Sequence, residues 1–182
     1  MMKILKYSLL ICLVVMFTKC SPDHNGSFGG TVDRTIQLIG TWKIESVFQI
    51  DLDAEKKSFP EFATKVDITN TVTNMPFSDF EMTLHNNTIS TTLGMSPMAY
   101  VIEEGQGTWN WISNDELSLV NQELGINASS GITTSINGKE VQLFISTFSG
   151  ITAPTPTLSL NYKRIDEVGN DVMRYEYILV KQ

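Results

Sequence analysis

Histidine and cysteine are scarce in this chain, and where they stand excludes more than their number does. Among 182 residues only Cys12 and Cys20 carry a thiol, and none follows residue 20. A disulfide framework or a thiolate zinc site in the body of the protein is therefore excluded. His24 lies in a stretch rich in Gly, Ser and Asn, and His85 falls at a predicted turn. Neither a Ser-His-acid triad nor a multi-histidine metal site is supported by that placement. Helical periodicity is almost missing, and no Gly-rich loop leads from a strand into a helix, so phosphate-loop nucleotide chemistry is not expected. Basic residues are the minority, 13 Lys and Arg against 20 Asp and Glu, for a formal charge of −7. A surface of that sign repels phosphate backbones, so no nucleic-acid partner is expected.

One long apolar run is present, Ser8 to Phe17 (SLLICLVVMF), preceded by Lys3 and Lys6. It is too short for a permanent span and reads as a secretion signal. The following Phe17-Thr18-Lys19-Cys20-Ser21 resembles the cleavage region of bacterial lipoprotein precursors. Lys19 stands where that motif usually has a small residue; the Bacteroidetes type is looser there. The resemblance implies cleavage before Cys20 and lipid on its sulfur, giving a signal at 1–19, a lipidated cysteine with a flexible tether at 20–35, and one domain at 36–182. An uncleaved anchor, or a plain secretory signal with Cys20 incidental, are the alternatives. Loss of 1–19 removes three lysines and no acid, taking the formal charge from −7 to −10. Attachment to the membrane would then come from lipid, at about 0.8 kcal/mol per buried methylene.

Beyond the tether the chain alternates. In Leu38–Asp51 (LIGTWKIESVFQID), Trp42, Ile44, Ser46, Phe48 and Ile50 share one predicted face. Asp51–Thr64 reads as a loop or short helix crossing an end of the core, either a lid or a connection with Phe59 and Phe62 packed beneath it. Lys65–Val72 reads as a strand. Phe80, Met82 and Leu84 alternate up to His85-Asn86-Asn87, and Ile89, Thr91 and Leu93 alternate after it, which predicts a hairpin. Met98–Glu103 is expected to be extended. Trp109 and Trp111 share a face of the next strand, and Leu117 and Leu119 belong to another, followed by a loop over Asn121–Ser130. Asn137-Gly138-Lys139 joins Ile132–Ile136 to Val141, Leu143 and Ile145 by a tight turn. Pro154 and Pro156 mark a loop. Leu158, Leu160, Tyr162 and Arg164 alternate, as do Met173, Tyr175, Tyr177 and Leu179 after a turn at Asp166–Asp171. Roughly nine to eleven short strands with hairpin-length turns predict an all-β antiparallel meander. Closing it into a barrel, the last strand against the first, would leave no free edge.

Leu38-Ile39-Gly40-Thr41-Trp42-Lys43 opening the domain, Gly107-Thr108-Trp109 with Leu117 and Leu119, and Tyr175-Glu176-Tyr177 with Val180-Lys181 resemble the lipocalin-like β-barrel lipoproteins of Bacteroidetes envelopes, many of unknown function. The resemblance spans about 36–182. It implies that Trp42 plugs the barrel floor and that a basic residue from a late strand packs over it. Arg164 is the candidate, because it shares the parity of Leu158, Leu160 and Tyr162; such a contact contributes about 0.5–2 kcal/mol.

No catalytic residue, metal site or cofactor is identified. Glu103-Glu104, Asp51 with Asp53, and the group Asp166, Glu167, Asn170 and Asp171 are oxygen-rich, but acids at strand ends usually mark solvated turns. The aromatic residues of the strands are the better lead, and Tyr100, Trp109, Trp111 and Tyr162 are the ligand-binding candidates. The expected function is that of a non-catalytic, lipid-anchored protein of the cell envelope, at the outer membrane, accommodating a small hydrophobic or amphipathic ligand. The alternative is an accessory module whose outer surface binds a partner protein or glycan.

Overall fold

The computed structural model describes residues 34–71, 74–112, 131–148 and 154–182. The leader, Cys20, the tether with His24, the strand expected around Leu117 and the loop Asn121–Ser130 lie outside them. A short helix α1 (Arg34–Leu38) leads into β1 (Gly40–Asp51); α2 (Leu52–Lys56), α3 (Glu61–Thr64) and β2 (Lys65–Asp67) follow. The remaining strands are β3 (Glu81–His85), β4 (Thr88–Thr92), β5 (Gly105–Trp111), β6 (Gly131–Ile136), β7 (Lys139–Phe148), β8 (Thr157–Ile165) and β9 (Asp171–Lys181).

All pairings are antiparallel. Neighbouring strands pair in sequence from β3 to β9, and β1 joins β3 on one side and β9 on the other, closing eight strands into a barrel. This is the closed antiparallel meander that the alternation predicts, and it agrees with the lipocalin-like barrel that the resemblance implies. The ninth strand, β2, extends the β3 edge by pairing with Phe48–Ile50. Closure satisfies the backbone groups that an open meander would leave exposed.

The turns are chemically dictated. Asn137 and Gly138 both take positive φ, 52° and 80°, as a two-residue hairpin turn requires. Asn86, with φ of 47°, does the same between β3 and β4, where Thr88 Oγ1 also donates to the His85 carbonyl at 2.8 Å. Asp51 caps α2 by accepting from the Asp53 and Ala54 amides.

Three expectations are corrected. Trp42 and Ile44 face the core, but a bulge between Ile44 and Ser46 inverts the parity, so Val47 points inward and Phe48 pairs outward with Glu176. Ile50 is buried on that outer face, in register with Arg174, where α2 lies along β1 and β9. Pro97–Tyr100 is a 3-10 turn rather than a strand, because Pro97 sits at its first position and Ser96 Oγ accepts from the Met98 amide at 3.3 Å. Finally, Phe59 and Phe62 do not pack beneath their segment: they are 55% and 84% exposed.

One apolar cluster fills the barrel. Trp42, Met82, Leu84, Ile89, Ile132, Leu143 and Leu158 are among its most buried members, drawn from every quarter of the wall.

Candidate functional site: the open mouth of the barrel

The two ends of the barrel differ. At one end α1 lies across the opening and is held by three side chains. Trp42 Nε1 donates to the Leu38 carbonyl at 2.8 Å, Trp111 Nε1 donates to Thr35 Oγ1 at 3.2 Å, and Lys181 Nζ donates to the Gln37 carbonyl at 3.2 Å. The Trp42 ring is fully buried, 6.2 Å from the Phe148 ring. The cation over it is Lys181, 5.5 Å from the ring centroid, and not Arg164. Arg164 has the inward parity expected of it but the wrong depth: it pairs with Met173, whereas Trp42 pairs with Lys181 at the far end of β9. Eight residues along a strand separate those positions by roughly 26 Å. Gly40 explains the Gly-x-Trp motif here. Its φ is +139°, and a Cβ at this position would lie 2.4 Å from Lys181 Cε, in the path of the lysine stem.

At the other end the wall stays open. A cavity of about 570 Å³ enters the barrel between the segment after β2 and the 3-10 turn at Pro97–Tyr100. Inward positions of β8 and β9 supply Tyr162, Tyr175 and Tyr177, and β1 supplies Gln49, which its bulge has turned inward. Phe77, from a 3-10 turn at Phe77–Asp79 packed against β1, places its ring 6.3 Å from that of Tyr177. Those two rings form the floor, with buried Val101 beside them and Tyr100 on the rim. Burial, reinforced by the neighbouring Tyr175 and Tyr162, pushes the Tyr177 hydroxyl well above its ordinary value, so it remains a neutral donor.

Among the described residues, Arg164 is the one charged residue lining this mouth. Nearby cations are already paired on the outside of the wall: Lys163 with Asp171 at 2.6 Å and Arg174 with Glu55 at 3.1 Å. Among the described residues no carboxylate pairs with Arg164.

The four aromatic candidates thus separate. Tyr162 and Tyr100 line the cavity, with Tyr100 80% exposed at the rim. Trp111 sits at the opposite end against α1, and Trp109 lies in the packed core with its ring 5.7 Å from that of Trp111. Sequence reasoning did not single out Phe77 and Gln49, because one sits in a turn and the other changes face at a bulge. Tyr175 and Tyr177 were visible as partners of Tyr162 in parity. The oxygen-rich groups hold local structure instead. Asp166 accepts from the Val168 and Asn170 amides and from Asn170 Nδ2; the Asn170 side chain first, and these amides with it, hold its carboxyl below the usual range. Glu103 pairs with Lys139 at 3.1 Å, and Glu104 accepts from the Leu93 amide at 2.9 Å. Among the described residues no three His, Cys, Asp or Glu side chains gather in a way that would hold a metal ion.

The fold and this mouth define an eight-stranded lipocalin-like barrel, closed at one end and hollow at the other. Comparison with known proteins finds no matching family model, curated protein or solved structure.

Proposed function

We propose that the protein is a non-catalytic binding lipoprotein of the cell envelope, anchored through Cys20 and taking up a small hydrophobic or amphipathic molecule in the barrel mouth. The observation that carries this reading is the tyrosine-lined cavity of about 570 Å³ above the Phe77–Tyr177 floor. Its size is within the range of small-molecule pockets, and its lining of apolar walls with a few polar groups is what such ligands select. The N-terminal apolar run and the Cys20 motif support the anchored, extracytoplasmic placement by resemblance. In this reading the protein stays within the lipocalin-like lipoproteins of Bacteroidetes envelopes, at the outer membrane.

The test is native mass spectrometry of residues 21–182 purified from the producing cell, followed by extraction of whatever small molecule is retained. A bound apolar or amphipathic species that is lost in Tyr162→Ala supports the reading. A clean unliganded mass, together with no uptake of added amphiphiles, overturns it.

A second reading rests on its own observation. Phe62, Phe59 and Val66 are 84%, 55% and 53% exposed, close together in sequence and next to the unpaired edge of β2. An exposed apolar group of this kind suits an interaction module that docks a partner protein or glycan. Retention of a partner by the parent protein, lost in Phe62→Ser while the barrel still binds its small molecule, would give both surfaces a role.

A further inference from the structure

We infer that the barrel mouth selects an anionic amphiphile, whose oxyanion sits at Arg164 and whose apolar body lies over Tyr162 toward Tyr177. This inference rests on the proposed binding function and goes further, by fixing the charge and the orientation of the ligand. Among the described residues, Arg164 is the single charged side chain lining the cavity, and no carboxylate among them neutralises it. The neighbouring cations could have served a structural purpose in its place, and they do: Lys163 and Arg174 face outward and are each held by an acid. An arginine that faces inward on β8, two residues beyond Tyr162, has no such role in the wall.

The surrounding chemistry reinforces the choice. The rest of the described lining is aromatic, aliphatic or neutral polar, and the Tyr177 hydroxyl stays protonated, so no described lining group competes as an anion for the guanidinium. A guanidinium presents a fork of donors that matches a carboxylate, sulfonate or phosphate oxygen pair. The protein as a whole is acidic, with 20 Asp and Glu against 13 Lys and Arg. Its net field therefore does not gather anions, and preference for one must come from this residue acting locally. Because Arg164 is exposed at the rim, its contribution is screened by water and salt. Its neighbour Tyr162 gives the apolar body its first ring to lie on.

The test uses two fluorescent probes with the same aromatic body, 1-anilinonaphthalene-8-sulfonate and the uncharged N-phenyl-1-naphthylamine, titrated into the folded parent, Arg164→Gln and Tyr162→Ala. The parent is expected to prefer the sulfonate, and Arg164→Gln to weaken the sulfonate alone by about tenfold, the size of one charge-assisted hydrogen bond at a partly wet site. Raising salt should narrow the preference in the parent and not in Arg164→Gln. Tyr162→Ala should weaken both probes together. If both probes bind, Tyr162→Ala weakens both, and Arg164→Gln leaves their ratio unchanged, charge selection is overturned while the binding function stands. If neither probe binds the parent, the binding function itself falls. Unchanged circular dichroism of Arg164→Gln, at an exposed site, separates loss of selection from loss of fold.

Discussion

Trp42 and Trp109 both carry the Gly-x-Trp motif, yet they are satisfied differently. Trp42 Nε1 donates to the Leu38 carbonyl and its ring carries Lys181, whereas the Trp109 indole N–H is buried at 2% exposure with no hydrogen-bond partner among the described residues. Leaving a buried donor unpaired costs about 1–3 kcal/mol. Replacing Trp109 by Phe removes that donor along with some ring volume, while replacing Trp42 removes a made bond and a cation contact. Urea unfolding should therefore find Trp42→Phe less stable than Trp109→Phe by about 1–2 kcal/mol. The glycine of the second motif is constrained by its neighbour strand. A Cβ on Gly107 would stand 2.0 Å from the Ser135 carbonyl oxygen, which is backbone and cannot swing aside. Gly107→Ala should then force β5 from β6 and lower stability by about 1–3 kcal/mol in the same assay.

At the scale of elements, the seam where β1 meets β9 carries a polar network on its outer face. Lys65 Nζ lies 2.8 Å from Glu176 Oε2, Ser159 Oγ donates to Glu176 Oε1 at 3.0 Å, and Ser146 Oγ is 2.7 Å from Ser159 Oγ. The Lys65 ammonium also stands 4.2 Å from the centre of the Phe48 ring. Burial alone would raise the Glu176 carboxyl, but the bonds from Lys65 and Ser159 and the charges of Lys65 and Arg174 outweigh it, so it stays below the ordinary glutamate value. A depressed carboxyl contributes stability above its unfolded value, and that contribution is lost as pH falls through the folded value. Thermal unfolding across pH should show the parent losing stability from about pH 4.5 downward. Glu176→Gln should be weaker than the parent by about 1–2 kcal/mol at pH 7, a gap that closes in acid. β2 enters this seam only through the bulge in β1. Without the inverted parity Phe48 would point into the barrel, and Lys65 would have no ring to lie over.

For the whole molecule, the barrel divides its work between its ends. α1, Trp42, Trp111 and Lys181 close one end, and the cavity opens at the other, so ligand uptake and floor integrity are separable. An amphiphile at a hundred times its dissociation constant should raise the unfolding free energy by about 2.7 kcal/mol. Scanning calorimetry should find that gain absent in Tyr162→Ala and present in Lys181→Met, whose base stability alone is lower.

The sequence by itself determined the class of fold, because period-two alternation and the Asn-Gly turn are local properties that survive in any register. It also determined which residues of β8 and β9 share a face, including Arg164 with Tyr162. Depth along the barrel was not legible. Whether Arg164 or Lys181 meets Trp42 depends on the stagger of β9 against β1, which is set by pairing across the whole chain. The parity of Val47, Phe48 and Gln49 was hidden for a related reason: a bulge adds one residue without leaving a mark in composition. Phe77 reaches the mouth from a turn, and Phe59 and Phe62 stay in solvent, so for these residues hydrophobicity alone did not say which side of the wall they would occupy. Only the closed barrel decided that the aromatic floor, the tyrosines and an arginine unpaired among the described residues would meet at the same opening.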